Sequence, residues 1–283
     1  MGTSQARVAV DAATLAGGDK NQDRYVVGDG YAAVLDGASS FSGEQPEHDG
    51  GWYAEHLADA LERRLGGGHD HDTADLVADS IREVAHLHNG SAESCPTSTI
   101  ALVRWSDELV EVYVLGDSTV VIVTDAEESV HTDARIEKVA PGLRAAYRQR
   151  LADGLGFDDQ HRDLLAQLQV EQAKSRNSRG GYWIAGRTPD AAAHGLRDIV
   201  TTPKVRAIIL ATDGAAAAVE RYAIAHTWRE LADRSAEATL RATFEIELND
   251  PQGHHFLRSK PHDDKTLVVA RFAGGCEATK WVE

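Results

Sequence analysis

The sequence predicts an α+β fold with antiparallel sheets, and three observations carry that reading. Apolar stretches of strand length follow one another closely at 99–105, 109–115 and 119–124, joined only by Ser106-Asp107-Glu108 and Gly116-Asp117-Ser118. Links that short imply antiparallel neighbours. Strands and helical stretches also come in runs rather than in strict alternation, which argues against a doubly wound parallel sheet. Finally, the 283 residues, 42% apolar and 26% charged, contain no internal repeat and no low-complexity linker, so one domain over 1–283 is the simpler count.

The elements follow in order. Tyr25-Val26-Val27 and residues 31–35 flank Gly28-Asp29-Gly30, whose glycines accept the positive φ of a hairpin turn. Trp52, Leu57, Ala60, Leu61 and Leu65 recur at helical spacing until Gly66-Gly67-Gly68 ends the run. A second helix starts near Asp72 or Thr73, buries Leu76, Val77, Ile81 and Val84, and stops by Gly90. After the three strands, the charged stretch from about 125 to 187 reads as a helical insertion, a flap, with helix-prone pieces at 143–151 and 161–172 and packing aromatics at Tyr182 and Trp183. A strand at 207–212, a helix over about 227–244 and a strand at 266–272 complete the body.

Composition removes several classes of function. With 29 Lys and Arg against 45 Asp and Glu the formal charge is −16, and no Lys/Arg block occurs. Binding to nucleic acid or to an anionic membrane surface, both of which need clustered positive charge, is therefore not expected. The two cysteines, Cys95 and Cys276, are far apart and form no CxxC, which disfavours a disulfide scaffold and a thiolate zinc site. The first residues carry no apolar signal segment and no apolar run reaches membrane length, so a cytoplasmic location is expected. His69-Asp70-His71-Asp72 follows three glycines and reads as a solvated loop with a helix cap rather than a metal clip.

Four acids stand out: Asn21-Gln22-Asp23, Leu35-Asp36-Gly37, Thr212-Asp213-Gly214 and Asp263-Asp264. The middle two end strongly apolar strands, where a carboxylate has no packing reason to be. If all four converge, each pair repels by about 4 kcal/mol at about 4 Å and an effective dielectric near 20, unless a cation lies among them. All-oxygen donors without Cys or a spaced His pair select Mg²⁺ or Mn²⁺. Two such ions suit in-line displacement at a phosphate ester.

The ordered set Asn21-Gln22-Asp23, Leu35-Asp36-Gly37-Ala38, Thr97-Ser98-Thr99-Ile100-Ala101, Leu115-Gly116-Asp117-Ser118, Leu210-Ala211-Thr212-Asp213-Gly214 and Asp263-Asp264-Lys265-Thr266 resembles the metal-dependent protein phosphatases of type 2C, in their bacterial form. The likeness runs from about Val8 to Phe272. It implies a four-layer α/β/β/α sandwich of two central antiparallel sheets flanked by helices, with two metal ions, Mg or Mn, at one edge. It also implies a serine/threonine protein phosphatase in which metal-activated water attacks a phosphoprotein substrate, with a cognate kinase as a further expected partner. Carried across by position, Asp36 bridges both metals with the Gly37 carbonyl beside it, Asp213 and Asp263 ligate the other metal, and Asp23 holds water. Asp117 lies near the site or caps its turn, and Asp264 bonds the backbone.

The pattern departs from the family in three places. Gly18 stands where the family carries a phosphate-binding Arg, which leaves Lys20, Arg24, or Arg176 and Arg179 of the insertion to bind the substrate phosphate. Ala38 replaces a His found in many eukaryotic members, and Ser39-Ser40-Phe41-Ser42-Gly43 replaces a Gly-Gly. The rival readings are a pseudophosphatase, a weakly active binding or regulatory module on the same fold, and a phosphatase of small metabolites.

Overall fold

The computed structural model describes residues 8–40, 48–68, 71–91 and 94–273. Phe41, Ser42, Gly43, His69, Asp70 and Cys276 lie outside them; Cys95 is buried and free. In chain order the strands are β1 (Val8–Leu15), β2 (Asp23–Gly28), β3 (Tyr31–Ala38), β4 (Thr97–Ser98), β5 (Ile100–Trp105), β6 (Leu109–Leu115), β7 (Thr119–Thr124), β8 (Glu128–His131), β9 (Leu196–Thr201), β10 (Val205–Ala211) and β11 (Lys265–Phe272). The helices are α1 (Gly50–Leu65), α2 (Thr73–Leu87), α3 (Pro141–Ala152), α4 (Asp159–Ser175), α5 (Asp213–Glu220), α6 (Trp228–Ala232) and α7 (Ala236–Asn249).

The strands form two sheets, β1-β11-β10-β7-β8 and β2-β3-β5-β6-β9, with the short β4 on β3, and every pairing is antiparallel. Alternation along each strand then builds the layers. In β3, β5 and β6 one set of side chains (Leu35, Leu102, Leu115) faces α1 and α2. The alternate set (Val34, Val103, Val114) meets Ile122, Leu210 and Val268 of the other sheet in a central layer. The outer face of that second sheet, with Val121, Ile209 and Val269, packs on α5, α6 and α7. The result is the α/β/β/α sandwich, its two sheet layers fixed by a period-two apolar pattern.

The structure corrects several local expectations. Gly116-Asp117-Ser118 is not a hairpin turn: β6 and β7 lie in different sheets, and the link crosses between them. Gly116 makes this possible with φ +91°, and a Cβ there would stand 2.9 Å from Thr99 Cγ2. The helix expected over 227–244 is two helices, because Ser235 caps a new one by accepting from the Ala238 amide. Strands β1, β8 and β9 escaped the pattern: all three are sheet edges in which no residue is fully buried, so none shows an unbroken buried apolar run. Strand β8 falls inside the stretch read as the insertion. Beyond it, α3 and α4 pack on each other through Tyr147, Leu151 and Leu168, and Tyr182 and Ile184 pack against Val139.

A buried ionic network joins α7 to the start of β11. Lys265 Nζ donates to Glu247 Oε2 at 2.7 Å and to the Asp263 carbonyl at 2.5 Å, both side chains of the ion pair being almost fully buried. Arg258 pairs with Asp250 at 2.7 Å alongside it, and the Tyr222 hydroxyl donates to Glu247. Removing one partner of such a pair strands a buried charge. Lys265→Met should therefore cost about 3–5 kcal/mol in urea unfolding, and Lys265→Met/Glu247→Leu should recover most of that loss.

Candidate functional site

The four acids converge because each stands at the same end of its strand pair. Asp23 opens β2 and lies directly opposite Asp36, near the end of β3. Asp213 follows β10 and Asp263 precedes β11, which pair so that Ala211 faces Leu267. Two sheets thus bring their polar ends together on one edge of the sandwich. Thr212, fully buried, ties them: its hydroxyl donates to Asp23 Oδ2 at 2.7 Å and accepts from the Thr266 amide at 2.9 Å. Behind Asp36, Thr99 Oγ1 accepts from the Asp36 amide and lies 2.6 Å from Ser118 Oγ. Two of the motif segments are accordingly braces for the acids rather than parts of the acidic set.

The glycines beside the aspartates are not turn residues. Gly37 lies within β3 and Gly214 in the first turn of α5, and neither has positive φ. They permit backbone approach instead. A Cβ on Gly37 would stand 2.3 Å from the Gly50 carbonyl oxygen, and one on Gly214 2.1 Å from that of Asp264. Asp264 itself accepts from the Gly17 and Gln22 amides at 2.7 and 2.8 Å, anchoring the β1–β2 loop to the Asp263 segment.

The charges register one another. Burial pushes the Asp23 carboxyl up to about 8 against the Thr212 hydrogen bond, with Asp263, Asp213 and Asp264 adding to the rise. Its Oδ1 is buried without a partner. Asp36 is held well above the usual range by burial and by Asp23, Asp213 and Asp263. Asp213 opens onto the surface, yet the protein around its carboxyl, with Asp263 and Asp117, pushes it up to about 7. Asp117 thus acts on the cluster, its own carboxyl raised chiefly by burial.

The cations acting most strongly on Asp36 and Asp213 are Lys260 and Arg221, neither of which the motif pattern had singled out. Lys260 Nζ lies 2.6 Å from Asp263 Oδ1. The structure places the four phosphate-binding residues expected from sequence at separate points, Arg24 beside Asp23. Lys20 pairs with Asp49 at the start of α1. Arg24 donates to the Asn21 and Asp23 carbonyls and to Glu55. Arg176 lies where its charge reaches Cys95, bridged to Tyr182, and Arg179 is exposed on the following turn. Gly18 faces open space.

The donor chemistry fits hard divalent cations: carboxylates and a backbone carbonyl, with one buried carboxylate oxygen lacking any partner. In the arrangement described, no group of three or more His, Cys, Asp or Glu side chains among the described residues is placed to hold an ion, and the cation present in the cluster is Lys260.

A carboxyl whose native pKa exceeds its unfolded value near 4 binds its proton more tightly when folded, so it favours the native state at low pH and that contribution is lost as pH rises to the native value. For Asp23 and Asp213 that window runs from about 4 to about 8 and about 7 respectively. In EDTA, the melting temperature should fall between about pH 5 and about pH 8, and Asp23→Asn should flatten the slope. A metal-free melting curve insensitive to pH over that range would contradict the convergence.

No protein-family model matches the sequence, and no curated protein matches it. Solved structures do. A bacterial serine phosphatase matches 96% of this chain and 100% of its own with TM-score 0.58 and 16% identity. The serine/threonine phosphatase Stp1 of Staphylococcus aureus matches 95% of this chain and 96% of its own, with TM-score 0.56 and 14% identity. The catalytic domain of the serine/threonine protein phosphatase PstP, solved with two manganese ions, matches 95% of this chain and 99% of its own, with TM-score 0.54 and 15% identity. Architecture, topology and these likenesses agree: the chain has the fold of the bacterial serine/threonine phosphatases of type 2C.

Proposed function

We propose that this protein is a metal-dependent phosphomonoesterase that dephosphorylates phosphoserine or phosphothreonine in proteins of the bacterial cytoplasm, opposite a cognate kinase. The observation that carries the proposal is the gathering of Asp23, Asp36, Asp213 and Asp263 from two sheets onto one edge, each acid with no packing reason to be there. Among the described residues no helix is long and apolar enough to cross a membrane.

In this reading two divalent cations, Mg or Mn, when bound, polarise the phosphoryl group and lower the pKa of the attacking water. Asp36, the Gly37 carbonyl, Asp213 and Asp263 are the groups that would hold these ions. Asp23 keeps its free, buried Oδ1 for a hydrogen bond from the attacking water while Thr212 fixes Oδ2. Thr99, braced by Ser118, sets the Asp36 backbone. With Ala38 after the Asp-Gly pair, no imidazole from that position protonates the leaving group.

The experiment is hydrolysis of p-nitrophenyl phosphate and of a phosphothreonine peptide with Mn²⁺, with Mg²⁺ and after EDTA. EDTA should abolish turnover, and Asp36→Asn, Asp213→Asn and Asp263→Asn should each lose on the order of a hundredfold or more with the fold intact by circular dichroism. Rates unchanged by exhaustive chelation would overturn the reading. A preference for small metabolites over peptides would favour the metabolite phosphatase. A folded, metal-binding protein without turnover would favour the pseudophosphatase, which the Lys260–Asp263 pairing supports as the second reading.

A further inference from the structure

A small cleft opens beside the acids, lined by Asp213, Gly214, Arg221, Arg258, Lys260 and Asp263 among others. A phosphate dianion approaching four carboxylates needs positive charge beyond what neutralises those carboxylates. The cations near the cleft differ sharply in how committed they are. Arg258 is buried and spent on Asp250, on the Phe256 and Pro261 carbonyls and on the backbone at the end of α7. Lys265 is buried between Glu247 and the Asp263 carbonyl. Arg221 is exposed, lies over the Tyr222 ring, and acts on Asp213 alone among the four acids' strongest influences.

Lys260 is different on every count. Its side chain is 55% exposed, on a long flexible stem, and its charge reaches Asp36, Asp213 and Asp263 together. Its one ion pair among the described residues is with Asp263, one of the acids that a divalent cation would neutralise. The segment that carries it is nevertheless well placed. His161 of α4 contacts the Ser259 carbonyl through Nε2 at 2.8 Å, and Leu257 packs against the α3–α4 cluster. On one side this segment continues into the Lys265–Glu247 anchor, and on the other it is held by Arg258. An exposed ammonium on a well-anchored backbone faces the acids.

We propose that Lys260 is the residue that receives the substrate's phosphate group. The inference rests on the phosphatase reading and names the cation that serves it. Before cations enter, the ammonium bonds Asp263; once they take up the charge of Asp263, that attraction weakens and the side chain turns to the phosphate oxygens arriving in the cleft. A charge-assisted hydrogen bond of this kind acts on substrate binding rather than on the attacking water.

The test uses the full chain as wild type, K260M and K260R. Three quantities are measured: KM and kcat for a phosphothreonine peptide with Mn²⁺, the Kd of inorganic phosphate for the Mn²⁺-loaded protein, and the Mn²⁺ isotherm without phosphate. In K260M, KM and the phosphate Kd should both rise roughly tenfold, the scale of one lost charge-assisted hydrogen bond, with kcat within about threefold. K260R, which keeps the charge, should recover most of the phosphate affinity. Unchanged KM and phosphate Kd in K260M would overturn the proposal. So would tighter Mn²⁺ binding with no change toward phosphate, which would make Lys260 only a competitor of the metal. If the wild type binds phosphate through Lys260 yet turns over no substrate, the phosphatase reading fails while this assignment stands.

Discussion

Electrostatic repulsion among four carboxylates is the constraint around which the molecule is arranged. Two sheets that share an apolar central layer would naturally direct their strand ends outward to water, yet here they hold Asp23, Asp36, Asp213 and Asp263 at one edge. The repulsion is resisted by hydrogen bonds rather than by added positive charge. Thr212 joins the sheets, Thr99 and Ser118 back Asp36, and Asp264 takes two amides from the β1–β2 loop. None of these adds positive charge, so the cluster keeps an appetite for cations while its geometry is held. Sites of this kind are paid for elsewhere in the fold, and the three apolar layers are the reserve.

The braces also explain a division of labour between the two sheets. The β2–β3 pair presents its two acids opposite each other in register, so their spacing is set by the sheet itself. Asp213 and Asp263 instead occupy the connections at the ends of β10 and β11, and their placement depends on the close backbone contact at Gly214 and on the Lys265–Glu247 pair beneath. One half of the site is as rigid as a sheet. The other half rides on a loop whose anchor is ionic and buried.

Much of this was legible in the sequence, for physical reasons that also mark the limits. Central strands buried on both faces give unbroken apolar runs, so β3, β5, β7 and β10 were readable, as were the amphipathic α1 and α2. The edge strands β1 and β9, with no fully buried residue, carry no such signature and were hidden, whereas the edge strand β2 was marked by Tyr25-Val26-Val27. The Asp-Gly pairs were noticed as acids at strand ends, but the reason for their glycines is a tertiary contact that no local pattern encodes. The crossover at Gly116 looks in sequence like any hairpin link; only the side-chain layering of β6 and β7 distinguishes them. Lys260 sits in an irregular stretch and belongs to no motif, so its presence among the acids follows from how residues 250–264 are pinned by Asp250, Arg258 and His161.

The segment after β8 has its own small apolar clusters and returns to the body where Ala185 bridges Ser98 of β4. That end is therefore joined through Ser98 to Gly37, the neighbour of Asp36. The segment also lies against the residues that lead to Lys260: His161 contacts the Ser259 carbonyl, Leu257 packs on the α3–α4 cluster and Arg258 lies over the Phe157 ring. A change in the length or packing of the segment is therefore transmitted toward the acids at two points, the Ser98–Gly37 pairing and the stretch that carries Lys260.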